Sequence, residues 1–213
     1  MIRRLAGAVS LRSRLRKYRL FMELVRPTEE TTVVDVGVAD TPFGEGEGQA
    51  ATHNFFEAMY PWRKQITAVS VGELPRFRAA FPEVRCVQAD GRELPFADGE
   101  FDVGFSNAVV EHLGDRDSQE AFIRELCRVA RSVFVATPNR WFPLDPHTLL
   151  PFVHWLPHRE GLLAKLGNEE TRGLRPLGSK EFRALFPYPV RIINDGLTLV
   201  AAGPQERFSS SVP

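Results

Sequence analysis

Five largely apolar runs, several of them rich in β-branched residues, recur along the chain, and segments with helical spacing separate them. The runs lie at residues 31–36, 66–71, 84–89, 101–106 and 132–137, and the helical segments at 50–60, 74–81 and 117–130. Continuous apolar runs of this length are typical of strands buried on both faces of a parallel sheet. Strands that alternate with helices indicate βαβ units. The pattern therefore predicts an α/β protein with a mostly parallel, doubly wound sheet.

A different pattern closes the chain. Two β-rich runs, residues 190–193 and 197–201, flank Asn194-Asp195-Gly196. Asp-Gly between two such runs is a strong hairpin signal. We therefore expect the sheet to end in an antiparallel β-hairpin, with one domain over residues 31–204 and a disordered serine-containing tail at 205–213.

Residues 1–30 are treated as a separate N-terminal segment. Its apolar positions have helical spacing as far as Pro27, and residues 1–26 carry eight basic side chains against one acidic one. The whole chain has a net charge of zero, so the segment is basic and the remainder is acidic. Two interpretations stay open: a helix that caps the sheet with a solvated polar face, or a basic amphipathic surface that contacts an anionic membrane or partner.

Acidic residues stand at or just beyond three successive predicted strand ends: Asp35, Glu73 and Asp90. Ligands of open α/β sheets bind at the carboxyl ends of the strands. A carboxylate after the second strand can accept both hydroxyls of a ribose, and one after the third can accept an exocyclic amine. The three acids together predict a nucleoside site.

Other signatures are absent or misplaced. The glycines at 44, 46 and 48 lie well past the strand end and alternate with glutamates, so we interpret them as a loop and not as a phosphate site. A nicotinamide-dependent dehydrogenase needs G-x-G-x-x-G after the first strand, and the residues from Gly37 to Pro42 do not fit it. The histidines and the two cysteines have no metal-ligand spacing, so no metal site is predicted.

The sequence resembles the class I S-adenosylmethionine-dependent methyltransferases, in particular the type 11 branch that includes ubiquinone-biosynthesis-like enzymes. The resemblance rests on Val33-Val34-Asp35-Val36-Gly37-Val38-Ala39, Ala89-Asp90-Gly91-Arg92-Glu93-Leu94-Pro95-Phe96, Phe101-Asp102-Val103 and Ser106-Asn107-Ala108-Val109-Val110-Glu111-His112-Leu113. It implies a Rossmann-like methyltransferase fold, S-adenosyl-L-methionine as cofactor, and methyl transfer to an acceptor.

Two departures from the family pattern stand out. The first motif usually has three glycines, whereas this chain has Gly37-Val38-Ala39-Asp40-Thr41. The acid expected directly at the end of the second strand is displaced to Glu73. The weakened glycine motif favours the alternative of a non-catalytic, methyltransferase-like binding or assembly protein, whereas the retained Asp35, Asp90 and Glu111-His112 argue against it.

The resemblance also implies a role for each cofactor-side residue. Asp35, Gly37 and Ala39 would lie beside the methionyl part, and Glu73 would hold the ribose hydroxyls. Asp90 and Gly91 would border the adenine, and the backbone of Ser106 and Asn107 would lie beside the sulfonium.

The acceptor side is predicted from histidines and aromatic residues. His112 and His147 are candidate bases, although His112 is equally explained as a helix-start residue bonded to backbone. Trp141, His154 and Trp155 fall in an aromatic segment that forms either a lid over an apolar substrate or a helix completing the core. Apolar walls with few polar groups predict a small-molecule acceptor, and the absence of a basic stripe here argues against nucleic acid.

Location is predicted from two further features of the sequence. Cys86 and Cys127 lie in apolar patterns, which is typical of reduced thiols. No apolar run reaches transmembrane length. A cytoplasmic protein is the expectation.

Overall fold

The computed structural model describes residues 2–45, 50–143, 152, 155 and 174–204. Five α-helices lie in these ranges: α1 Ile2–Val25, α2 Phe55–Met59, α3 Pro75–Ala80, α4 Arg116–Val129 and α5 Ser179–Arg183. Seven strands accompany them: β1 Val33–Val36, β2 Ile66–Ser70, β3 Arg85–Gln88, β4 Phe101–Asn107, β5 Ala130–Pro138, β6 Arg191–Asn194 and β7 Thr198–Gly203.

All seven strands form one sheet in the order β3-β2-β1-β4-β5-β7-β6. The first five strands are parallel to their neighbours, and β7 runs antiparallel to both β5 and β6. The predicted fold class is confirmed, including the closing hairpin. From β1 to β3 the strands are added on one side of β1, and from β4 onward they are added on its other side. This change of side opens a crevice at the carboxyl ends of β1 and β4.

Alternate residues of the strands supply two separate apolar cores. Helices α1, α2 and α3 cover one face, and α4 and α5 cover the other. On the first face Phe21 of α1 is fully buried, with its ring edge-on to Phe105 of β4 and Phe134 of β5 at centroid distances of 5.7 and 5.4 Å. Phe56 of α2 stacks on Phe105 at 4.2 Å. Helix α1 therefore packs directly on the sheet.

The outward face of α1 differs from its inward face. Arg12, Arg16 and Arg19 are exposed, whereas Arg14 and Lys17 are 8% and 6% exposed. None of the helices among the described residues combines the length and the apolar character needed to span a bilayer.

Candidate active site

The carboxyl end of β1 holds two buried carboxyl groups. Asp35 is 6% exposed and Glu57 of α2 is fully buried. The two groups are close enough to share a hydrogen bond, and no donor among the described residues reaches either carboxyl oxygen of Glu57. Because a carboxylate cannot donate, such a pair has to retain a proton.

Burial raises the pKa of Asp35 well above its ordinary value, and the neighbouring Glu57 raises it further. Burial also raises the pKa of Glu57. Since no cation of the described residues pairs with these two acids, they favour an incoming positive charge.

The loop after β1 lacks two of the three glycines of the family's first motif, and other contacts hold it in place. Gly37 has φ +106°, and a side chain there would collide with Val109. Ala39 is bound through both its N–H and its carbonyl oxygen by the Asn54 side chain, which also donates to the Thr41 carbonyl. Asp40 accepts the backbone N–H groups of Arg76 and Phe77 in the first turn of α3 at 2.8 and 3.0 Å. Side-chain hydrogen bonds thus hold a loop that elsewhere relies on glycine.

The other two strand-end acids are more open. Glu73 is exposed beyond β2. Asp90 follows β3 with its side chain 42% exposed, and Arg92 binds it through both its guanidinium and its backbone N–H. These hydrogen bonds lower the pKa of Asp90, so the group is a carboxylate at neutral pH. It is available to accept from a ligand.

Gly91 is required by packing. The space that its side chain would take is filled by Phe122 and Val36 at 2.6 and 2.9 Å. Its predicted position beside the adenine concerns the backbone and stays a prediction.

The end of β4 joins β1 and α1. The Ser106 hydroxyl is fully buried and donates to the Val36 carbonyl at 2.8 Å, which ties the two strand ends together. The Asn107 Oδ1 accepts from Lys17 Nζ at 2.5 Å. The α1 helix therefore reaches the crevice through a buried lysine.

Behind Asn107, the short 3-10 helix Val110–His112 presents its two polar residues in opposite directions. His112 is exposed, whereas Glu111 is fully buried. Glu111 Oε2 accepts from Thr137 Oγ1 at 3.0 Å, and Oε1 has no hydrogen-bond partner among the described residues. Glu111 therefore faces inward, and the neighbouring predicted base His112 does not.

Residues 43–133 match the sequence family described as a methyltransferase domain. The strand order with an antiparallel β7 agrees with this family, and so does the crevice between β1 and β4. Residues 43–133 therefore belong to a methyltransferase domain, and the chain is similar to the S-adenosylmethionine-dependent methyltransferases. The matched stretch covers Glu73, Asp90 and Asn107, while Asp35 and Lys17 lie before it.

Curated relatives are similar over part of their length. A probable S-adenosylmethionine-dependent methyltransferase of Mycobacterium tuberculosis is 39% identical over 82 residues, which cover 36% of this chain and 29% of that protein. Ajmaline N-methyltransferase of Rauvolfia serpentina is 32% identical over 108 residues, covering 49% and 34%. The chain thus spans about a third of the length of the curated relatives that it matches.

Solved structures share the fold of this methyltransferase domain. The 1,6-didemethyltoxoflavin-N1-methyltransferase of Burkholderia thailandensis, with bound S-adenosylhomocysteine, superposes with a TM-score of 0.54 at 16% identity, covering 87% of this chain and 75% of that one. The N-methyltransferase NodS of Bradyrhizobium japonicum gives 0.56 at 12% identity, covering 89% and 85%.

The acceptor-side predictions fall partly outside the described residues, where His147 and His154 lie. Trp141 and Trp155 are 61% and 42% exposed, with ring centroids 6.3 Å apart, and Phe152 lies 4.9 Å from Trp155. They form an aromatic group beyond β5, and their contact with a substrate stays a prediction.

Four buried charged residues of the site were missed by the sequence reasoning: Arg14, Lys17, Glu57 and Glu111. One signal for the first two was available. Ser10, Arg14, Lys17 and Phe21 share one helical face because their spacing is four, three and four residues. The burial of Phe21 on that face shows that the two cations also point inward. Glu57 stands among apolar residues in Phe55–Met59, which is a comparable signal.

Proposed function

We propose that the protein is an S-adenosylmethionine-dependent methyltransferase that acts on a small, partly apolar acceptor. The observation that carries this proposal is the buried pair of Asp35 and Glu57 at the end of β1, beside Gly37. The methionyl end of the cofactor brings an α-ammonium group, which is the positive charge that this pair lacks among the described residues.

The remaining cofactor-side residues fit the adenosine half. In this proposal the exposed carboxylate of Asp90 accepts the adenine amine, and the exposed Glu73 accepts the ribose hydroxyls. Ser106 orients the adjoining ends of β1 and β4 through its bond to Val36. When bound, the cofactor supplies a methyl group already activated by the sulfonium. The protein's part is then to align the acceptor and exclude water.

Isothermal titration calorimetry with S-adenosylhomocysteine tests the proposal most directly. We expect one binding site per chain, and weaker binding in Asp90→Ala. 5′-Methylthioadenosine is a matched ligand without the amino-acid group, and its affinity should be lower because it makes no contact with the pair. A folded protein that binds neither ligand would instead support the non-catalytic alternative.

The acceptor is inferred from the acceptor side of the crevice. The methyltransferase fold implies a small-molecule substrate, and the aromatic group of Trp141, Phe152 and Trp155 supports an apolar portion. Replacing Trp155 by alanine should reduce turnover of the true acceptor and leave S-adenosylhomocysteine affinity unchanged. Normal turnover in that variant would remove the group from the acceptor site.

Contact with an anionic membrane through residues 1–26 remains part of the proposal. The exposed Arg12, Arg16 and Arg19 share the outward face of α1 and support it. Flotation with phosphatidylserine vesicles at low and high salt tests it, because only electrostatic binding is lost at high salt. We also place the protein in the cytoplasm, since Cys86 and Cys127 are free thiols. Cell fractionation checks this location.

A further inference from the structure

The inward face of α1 is apolar at Phe21 and basic at Lys17 and Arg14. Phe21 packs in the core, but one turn earlier Lys17 is a buried cation, and Arg14 precedes it by another turn. Arg14 Nη1 donates to the Thr52 carbonyl, and its guanidinium lies over the Phe55 ring at 5.7 Å. A buried cation is costly unless the site uses it.

Lys17 lies at the carboxyl edge of the sheet, where α1, the end of β4, the 3-10 helix after it and the turn between β6 and β7 meet. Its Nζ donates a hydrogen bond to Asn107 Oδ1. Three charged groups face it: Arg14 from α1, Glu111 from the 3-10 helix after β4, and Asp195 from the turn between β6 and β7. Burial, which is the largest influence, and the neighbouring Arg14 together lower the pKa of Lys17 to about 7, although Glu111 and Asp195 oppose them. A large fraction of the side chain is therefore a neutral amine near pH 7, and a neutral amine accepts protons.

Glu111 supplies an independent observation. Its carboxyl group is fully buried, Thr137 satisfies one oxygen, and Oε1 has no hydrogen-bond partner among the described residues. Buried carboxylate oxygens are normally hydrogen-bonded, so an orphan acceptor beside a crevice indicates a donor that arrives with a ligand. A methyl acceptor that is an anion, such as a carboxylate, brings no hydrogen-bond donor to this oxygen.

We propose that Lys17 and Glu111 form the acceptor end of the site, and that the methylated atom is the nitrogen of a neutral amine. Glu111 Oε1 accepts one N–H of that amine, and Lys17 removes another proton. This inference rests on the proposed methyltransferase function and names its acceptor class and its base.

Methyl transfer to this nitrogen forms one bond and breaks one bond. The nitrogen lone pair forms the new bond to the methyl carbon, and the electron pair of the broken carbon–sulfur bond stays on sulfur. The nitrogen becomes cationic and gives one proton to the amine of Lys17. Glu111 and Asp195 stabilise the ammonium that results, since both favour the charged form of Lys17.

The first test needs no acceptor. The chain has four lysines, Lys17, Lys64, Lys165 and Lys180, so each side-chain Cε resonance is assignable by substitution in the full-length protein. We expect one resonance with a midpoint near pH 7 that disappears in Lys17→Met and persists in Lys64→Met, where an exposed lysine is removed. In Glu111→Gln the midpoint should fall, because an opposing negative charge is lost. Four resonances that all titrate near 10.5 would overturn the inference.

The second test uses three probes that share one ring: aniline, phenol and benzoate, with methyl-labelled S-adenosylmethionine. We expect methylation of aniline, with a pH profile that falls below about pH 7. Lys17→Met should lower the rate by about 100-fold and remove this inflection, whereas Lys64→Met should change neither. Failure to methylate aniline, or a preference for phenol or benzoate, overturns the nitrogen assignment.

Calorimetry with S-adenosylhomocysteine on the same variants distinguishes a failure of the further inference from a failure of the proposed function. Full cofactor affinity together with an ordinary Lys17 titration rejects only the further inference. Loss of binding in the unaltered protein rejects the proposed function as well.

Discussion

The two halves of the sheet edge handle buried charge in different ways. On the β1 side, Asp35 and Glu57 are buried carboxyl groups with raised pKa values and have no cationic partner among the described residues. On the β4 and β5 side, Lys17 is buried against Asn107, and the acids Glu111 and Asp195 face it. The first half is suited to a ligand that arrives with a positive charge, and the second to moving a proton. Burial of the charged groups therefore determines which chemistry each half of the sheet edge is suited to.

The largest expected effect concerns α1, which must be a fixed wall for this comparison to hold. Phe21→Ala should lower the free energy of unfolding by about 3–5 kcal/mol, because it opens a cavity between α1 and the rings of Phe105 and Phe134. Urea denaturation measures the loss. Val9→Ala on the exposed part of α1 is the control and should cost less than about 1 kcal/mol. Equal effects would mean that α1 is a loosely attached segment.

The next effect sharpens the acceptor half. Lys17 has a lowered pKa in the folded state, so its unfolded state binds more protons between pH 7 and pH 10.5. The contribution of this group to stability is therefore present above pH 10.5 and is lost as the pH falls through 7. From pH 9 to pH 6 the native protein should lose about 2–3 kcal/mol relative to Lys17→Met. Chemical denaturation at both pH values measures this difference. Lys64→Met should show no such pH dependence.

A smaller effect tests the cofactor half. Asp90→Ala should weaken S-adenosylhomocysteine binding by about 1–3 kcal/mol, the scale of a hydrogen bond to a charged group. Glu73→Ala is the matched comparison at the second strand end, and calorimetry measures both. If only Asp90→Ala weakens binding, the displaced Glu73 is a loop residue without contact to the ribose.

The smallest effect concerns the shared proton of Asp35 and Glu57. A raised pKa in the folded state means that the pair's contribution to stability is full at low pH and is lost as the pH rises. Glu57→Gln supplies an amide donor to Asp35 in place of the proton. The decrease in the free energy of unfolding between pH 5 and pH 8 should therefore be smaller by about 1 kcal/mol than in the unaltered protein. Urea denaturation at the two pH values is the measurement. An unchanged slope would show that the two carboxyl groups titrate independently.

The sheet was predictable from the sequence because buried parallel strands are continuous apolar runs, and because Asp195-Gly196 marks the hairpin. The strand-end acids were predictable for the same reason, since each one follows such a run. Lys17 and Glu111 were not singled out, because their environment depends on contacts between elements far apart in the chain. The exposure of His112 and the burial of Glu111 depend on how one short 3-10 turn is oriented, and periodicity carries no information about that.

Asn54 adopts a left-handed conformation with φ 52° and closes three hydrogen bonds over residues 39–41. A glycine-rich loop keeps more backbone freedom than other loops, and any freedom that it loses on binding its ligand weakens that binding. Here the freedom is lost during folding, so a ligand beside Gly37 meets backbone that is already in place. The entropy of association is then less unfavourable, and the rate of encounter depends on diffusion into the crevice and not on loop closure. One asparagine thus gives the site the kinetics of a rigid receptor.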